Sequence, residues 1–233
     1  PSAYNGYKIP YTESREIFYE SMEIIKKAFT EESFSYQGKY NSYDDVCLTP
    51  KPLQKPHPPM RIAATTSETF TTLGEMGIPI FVGVRGLSLS DVAHQVILYR
   101  EALKRCNHAT GSILLRVPVH VADTTQAAMA NAEGSFMKQF RRLGSQLGNN
   151  ATASLNTEGN TSRSLSEIDW KEIQGEKVAV GDPETVATQI KNMMEVLTLD
   201  GIAAEFNAGE QIPAVKVRQS LELFCREVIP KLR

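Results

Sequence analysis

Met60-Arg61-Ile62-Ala63-Ala64-Thr65-Thr66-Ser67-Glu68-Thr69 is the stretch from which the fold is read. An apolar run too short for a helix ends in hydroxyl residues and passes directly into a helical pattern, Glu68 to Met76, that stops at Gly77. The step recurs downstream. Ile78–Val84 reads as a second apolar strand, with Pro79 confined to its first position because proline cannot donate to a ladder. A helix over 91–105 follows, with Ser90 as its cap and Val92, Val96, Tyr99 and Leu103 on one face. Residues 113–122 form a third strand and 125–142 a helix; Gly201 to Phe206 is a fourth strand, followed by a closing helix over 213–231. Nearly all-apolar strands alternating with amphipathic helices predict parallel βα units with the sheet covered on both faces. Four units cannot close a (β/α)8 barrel of ~250 residues. The expected fold class is therefore α/β, as a four-stranded open sheet or as the C-terminal half of a TIM-type barrel.

The flanking segments read more simply. Residues 1–10 are expected as loop, and a helix begins at Glu13, capped by Thr12, and stops near Thr30. Alternating aromatics over Phe34–Tyr40, then Val46-Cys47-Leu48, predict a hairpin or two short extended pieces. Pro50, Pro52, Pro56, Pro58 and Pro59 make an extended connector. Residues 143–163, rich in Gly, Ser, Asn and Thr, predict a long mobile loop, and 164–174 a short helix. Val178-Ala179-Val180-Gly181 leads into Asp182-Pro183-Glu184-Thr185, a helix start with Asp as N-cap and Pro at the first helical position.

Composition narrows the function. The 233 residues carry 25 Lys+Arg against 27 Asp+Glu, a net charge of −2 that gives no basic footprint for nucleic acid. No apolar run approaches the ~18–20 residues of a membrane span, and no signal-peptide pattern opens the chain. Cys47, Cys106 and Cys225 are too far apart for a CxxC pair, which suits a reduced, cytoplasmic setting. Residue 1 is Pro rather than Met, which fits a piece of something longer.

The strongest local candidate site is the mouth of the first strand, Ala64, Thr65, Thr66 and Thr69. First-turn N–H groups lack intrahelical partners, the helix end carries about half a positive charge, and the threonines add hydroxyl donors. That can cradle a phosphate; it can equally be ordinary capping. His120 near the end of the third strand is either an acid–base group or a core histidine, and His57, His94 and His108 read as structural or solvent-facing. No metal-ligand spacing, GxSxG, P-loop or GxGxxG occurs, so no metal is expected. Asp123 and Asp182 read as caps, Glu205 as a lone carboxylate, and Met193 and Met194 as core. Phe206 and Asn207, at the end of the last strand, are candidate substrate contacts, with a plain connecting turn as the alternative.

Several stretches together resemble the bacterial luciferase-like flavin monooxygenases. Phe34-Ser35-Tyr36-Gln37-Gly38-Lys39-Tyr40 is similar to a family segment, and Pro50-Lys51-Pro52-Leu53-Gln54-Lys55-Pro56-His57-Pro58-Pro59 is the most specific match. Val121-Ala122-Asp123-Thr124, Val180-Gly181-Asp182-Pro183-Glu184-Thr185-Val186 and the closing Ser220–Pro230 stretch also resemble family segments. The resemblance implies one luciferase-like domain over 1–233, with four further strands upstream of Pro1 and the catalytic base among them. It implies reduced FMN and molecular oxygen as cofactor and co-substrate, a flavin reductase as partner, a small organic substrate and a homo-oligomer. It puts the flavin phosphate at Thr65, Thr66 and Thr69, with Thr65-Thr66 replacing the Glu-Ser pair of luciferases, and a lid over 143–163. A deazaflavin-dependent oxidoreductase and a non-catalytic flavin-binding protein are the alternatives within the same superfamily.

Overall fold

The computed structural model describes residues 2–84, 87–108, 111–154 and 168–232. The chain expected as one domain divides into two compact units, Pro1–Met60 and Arg61–Arg233.

In the first unit a helix, α1 (Ser2–Gly6), stands where loop was expected. A 3-10 turn over Tyr11–Glu13 then leads into α2 (Ser14–Thr30) without a side-chain cap, so the predicted Thr12 cap is not used. The hairpin pairs β1 (Phe34–Gln37) with β2 (Ser42–Val46) antiparallel, its second strand lying earlier than the expected Val46–Leu48. One carboxylate on α2 organises its turn. Glu20 accepts N–H bonds from Lys39 at 2.8 Å and Asn41 at 2.7 Å, and from the Asn41 side-chain amide at 2.9 Å. Residues 47–61 carry neither helix nor strand, as five prolines require.

The second unit is built on a parallel sheet. Its elements in chain order are β3 (Ile62–Ala63), α3 (Ser67–Glu75), β4 (Ile80–Val82), α4 (Leu89–Arg105), β5 (Ile113–Val121) and α5 (Thr125–Ser154). Next come α6 (Trp170–Glu176), β6 (Ala179–Gly181), α7 (Pro183–Leu197), β7 (Gly201–Phe206), α8 (Ala214–Leu223) and α9 (Ile229–Leu232). β5 is the hub. Its first residues pair with β4, Leu114–Val119 pair with β7, and Val119–Val121 pair with β6. The path β3-β4-β5-β7 contains the four expected strands; β6 is a fifth parallel strand, over a stretch read from sequence only as a helix lead-in.

Alternation along β5 sorts its side chains. Ile113, Leu115, Val117, Val119 and Val121 enter the larger core with Phe70, Val96, Tyr99, Ile190 and Met193 from the helices. Leu114, Arg116 and Pro118 lie on the other face. A second core joins Ala128, Ala132, Phe136 and Phe140 of α5 to Ile173, Val178, Val180 and Ile212.

Several helix boundaries differ from expectation for identifiable reasons. Ser88, not Ser90, caps α4, because Asp91 completes a reciprocal capping box with it. Asp182 caps α7 as predicted, accepting N–H bonds from Glu184 at 3.1 Å and Thr185 at 2.9 Å. The last helix is broken by a π segment over Phe224–Val228, just ahead of Pro230, which has no N–H to give an α-helical bond. The expected loop over 143–163 is helix as far as Ser154; the remainder of that proposed lid lies outside the described residues.

α3 and α4 pack tightly at Gly74, where a Cβ would meet the Tyr99 carbonyl oxygen at 2.5 Å and the Ala102 Cβ at 2.7 Å. Gly134 in α5 faces open space. Urea unfolding should therefore show Gly74→Ala destabilising by about 1–3 kcal/mol, overpacking outweighing alanine's helix propensity. Gly134→Ala should stabilise by about 0.5–1 kcal/mol.

Candidate functional site

The carboxyl ends of parallel strands are where such folds place their sites. Here β3 runs on into Ala64 and Thr65, β4 runs on into Gly83 and Val84, and both line a cleft of about 80 Å³. Its floor includes Phe81, Arg116 and Pro118, with Glu205 of β7 beside them. Gln139, Phe140 and Leu143 of α5 form one wall, and Lys177 another.

The predicted phosphate residues fall at this cleft in different ways. Ala64 is buried, and its N–H donates to the Phe81 carbonyl at 2.9 Å, which holds the strand end against β4. Thr65 is exposed and lines the cleft. Thr66 is the N-cap of α3: its hydroxyl accepts from the Thr69 N–H at 3.3 Å and lies 2.9 Å from the Thr69 hydroxyl. The capping reading is thus realised at Thr66 and Thr69, and the residue presented to the cleft is Thr65.

The two substrate candidates separate. Phe206 pairs opposite Val119, which turns it to the helix side of the sheet, where it packs edge-on against Phe224 with ring centroids 5.4 Å apart. That placement takes Phe206 away from the cleft. Asn207 is left-handed at φ 65°, and its side-chain carbonyl accepts the Ile212 N–H at 2.8 Å, tying the loop after β7. It also lines an adjoining cleft with Arg116, Arg142, Glu205 and Glu210.

Three charged residues beyond the expected site set also line the cleft: Arg116, Lys177 and Glu205. Arg116 and Glu205 form an ion pair at 2.6 Å across β5 and β7, both partly exposed to the cleft. Glu205 is therefore not a lone carboxylate. Burial lowers the Lys177 pKa, and its ammonium donates to the Leu87 carbonyl; neighbouring Glu176 accepts the Leu89 N–H at 2.9 Å. These two residues at the end of α6 grip the segment that enters α4. The sequence signal for Arg116 is a charge in the middle of a strand whose other residues, His120 apart, are apolar; Lys177 carries no such signal.

His120 is 1% exposed, with its pKa lowered to about 4 by burial and by the Lys216 charge. His57 contacts its own chain at the Pro58 carbonyl, while His94 and His108 are exposed, as expected. Among the described residues no cluster of His, Cys, Asp or Glu could hold a metal ion, and no helix is long and apolar enough to cross a membrane.

Comparison with known proteins gives this geometry a context. A family model described as luciferase-like monooxygenase matches residues 1–200. An FMNH(2)-dependent dimethylsulfone monooxygenase of Pseudomonas putida is 26% identical over 235 residues, covering 96% of this chain and 61% of that protein. The chain thus spans about three-fifths of that relative's length. Among solved structures, monooxygenase RslO1 from Streptomyces bottropensis aligns with a TM-score of 0.76 at 20% identity over 100% of this chain and 66% of that one. The FMN-bound oxygenating constituent of 3,6-diketocamphane monooxygenase from Pseudomonas putida gives 0.73 at 20% over 100% and 68%. A coenzyme F420 dependent tetrahydromethanopterin reductase from Methanopyrus kandleri gives 0.65 at 16% over 93% and 63%. These structures share the fold.

A neutral, buried His120 makes stability depend on pH. Its folded pKa lies below the usual 6.5, so the unfolded chain takes up a proton first. Stability should be unaffected above pH 6.5, fall as pH drops toward 4, and lose roughly 3 kcal/mol in total. Urea midpoints measured across that window should show a shallower fall for His120→Gln.

Proposed function

The chain belongs to the luciferase-like monooxygenase family, and on that premise we propose that it serves an FMN-dependent monooxygenase that uses reduced flavin and molecular oxygen to oxidise a small organic substrate. The observation that carries this reading is the family match over residues 1–200. The Pseudomonas putida relative, whose name specifies FMNH2, favours FMN among flavins.

The residues at the cleft fit one side of a flavin site. Cofactor pockets usually enclose about 300–1,000 Å³, and the 80 Å³ here supplies part of such walls. Thr65 at the mouth of β3, with the first turn of α3 behind it, would hold the phosphate. Phe81, Pro118 and Leu143 offer apolar surface to a ring and keep water from it. The Arg116–Glu205 pair fixes polar groups at the cleft floor for orienting a bound molecule. When bound, reduced flavin supplies the electrons and the oxygen activation, the step that side chains cannot perform. In this reading β3-β4-β5-β7 is a portion of a luciferase-like barrel. A reductase supplying reduced FMN, a cytoplasmic setting and homo-oligomeric assembly go with it.

A deazaflavin-dependent oxidoreductase is the second reading, favoured by the F420-dependent reductase with the same fold. Oxygen uptake decides between them. With reduced FMN supplied by a reductase, the protein should accelerate substrate-dependent oxygen consumption. Turnover with reduced deazaflavin and no oxygen uptake would establish the second reading, and flavin retention without turnover a binding protein.

The phosphate assignment has its own test. Thr66→Asp keeps a good N-cap but puts a carboxylate beside the phosphate. Titration should show FMN affinity falling at least about tenfold, ~1.4 kcal/mol, while riboflavin affinity stays within about twofold. Equal losses for both ligands would remove the phosphate from this mouth.

A further inference from the structure

The cleft at the mouth of β3 continues into a second one of about 240 Å³, and the two share Arg116, Gln139, Leu143 and Glu205. Gln139, Arg142 and Leu143, at i, i+3 and i+4, present one face of α5 to it. The loop after β7 supplies another wall with Asn207, Gly209 and Glu210. Ser135 of α5 holds that loop through the Ala208 carbonyl and the Gln211 N–H, so the two walls are tied together before any ligand arrives.

Uncommitted donors from three elements meet in this cleft. Arg142 is exposed there, and its guanidinium has no hydrogen bond or ion pair with any described residue. Arg116 keeps 46% of its side chain exposed; one amino group donates to Glu205 at 2.6 Å, and the rest of its fork has no partner among the described residues. The Asn207 side-chain carbonyl is committed to the Ile212 N–H at 2.8 Å, which leaves its amide nitrogen as a donor. Of the two carboxylates, Glu205 is already paired, and Glu210 alone keeps a charge that opposes an anion. Guanidinium forks match an oxyanion bidentately, and hydrogen bonds that carry charge are about twice as strong as neutral ones. A solvated arginine is the ordinary fate of such a side chain. Arg142 differs in opening into the same cleft as a second, half-free guanidinium and an unpaired amide.

We propose that this second cleft is the substrate compartment and takes a small organic acid. Its carboxylate or sulfonate is received by Arg142 and Arg116, and its carbon end extends past Leu143 toward the apolar surface of Phe81 and Pro118. Binding of the acid follows from the cleft alone; that the acid is the substrate rests on the flavin reading.

The test is calorimetric titration of the 233-residue chain at neutral pH and low salt, with butyrate, butanesulfonate, butyramide and butylammonium as probes. At least one acid should bind about tenfold or more tightly than butyramide and butylammonium, and the tighter acid names the oxyanion. Arg142→Gln, at an exposed position, should weaken that acid by about tenfold or more with the urea midpoint unmoved. Glu210→Gln should leave it as tight or tighter. Saturating FMN should leave the acid's affinity within about threefold, because the two ligands occupy adjoining clefts. A preference for the acids below that margin, an acid indifferent to Arg142→Gln, or a loss on Glu210→Gln would overturn the proposal. Displacement of the acid by FMN would also overturn it, making the acid a mimic of the flavin phosphate. Acid bound through Arg142 with no binding of FMN at all would instead remove the flavin reading, and with it the acid's role as substrate, while the acid site stands.

Discussion

The second unit depends on the backbone of β5. A buried strand must pair its N–H and C=O groups on both edges. β5 does so with three partners, β4 and β6 along one edge and β7 along the other. Val119 shows the arrangement most directly: it is in register with Ala179 of β6 and with Phe206 of β7. The larger core is built on this strand's odd-numbered face. α4 and α7 cover its odd-numbered side chains, and Ser220 of α8 accepts the Val121 N–H at 2.8 Å where the ladder runs out.

The strand also carries two polar side chains in unlike surroundings. Its even-numbered residues change from apolar Leu114 through Arg116 and Pro118 to His120. Arg116 stays partly exposed and paired with Glu205, which costs little because water still screens both. His120 is sealed, and burial holds it neutral because charging it there would be expensive. One strand thus carries an ion pair at the cleft by the mouth of β3 and, nearer its carboxyl end, a neutral imidazole shut away from solvent.

The loop after β7 shows how a turn can be over-determined. Asn207 and Glu210 are left-handed, and Gly209 has φ +88° with no room for a Cβ beside the Ser135 carbonyl. Ser135, buried in α5, donates to the Ala208 carbonyl at 2.7 Å and accepts the Gln211 N–H at 3.0 Å. A short chain segment is held this tightly because its backbone groups find partners on a helix distant in sequence.

The order of strands and helices in the second unit was legible in the residues, because apolar runs, caps and prolines are local signals. Asp182 capping α7 and the proline-bound connector are cases where residue type alone suffices. The resemblance of Pro50–Pro59 and its companions to a known family was legible in the same way, since it rests on short strings. What tertiary structure alone decided was which side chains meet. A period of two says that Phe206 and Glu205 face opposite ways, but only the register against β5 says that Glu205 meets Arg116 and Phe206 meets Phe224. The same holds for β6, a three-residue strand too short to declare itself until a neighbour pairs with it, and for Lys177, whose carbonyl partner lies 90 residues earlier in the chain. Local chemistry sets each element; long-range pairing, to which no short stretch of sequence refers, sets the site.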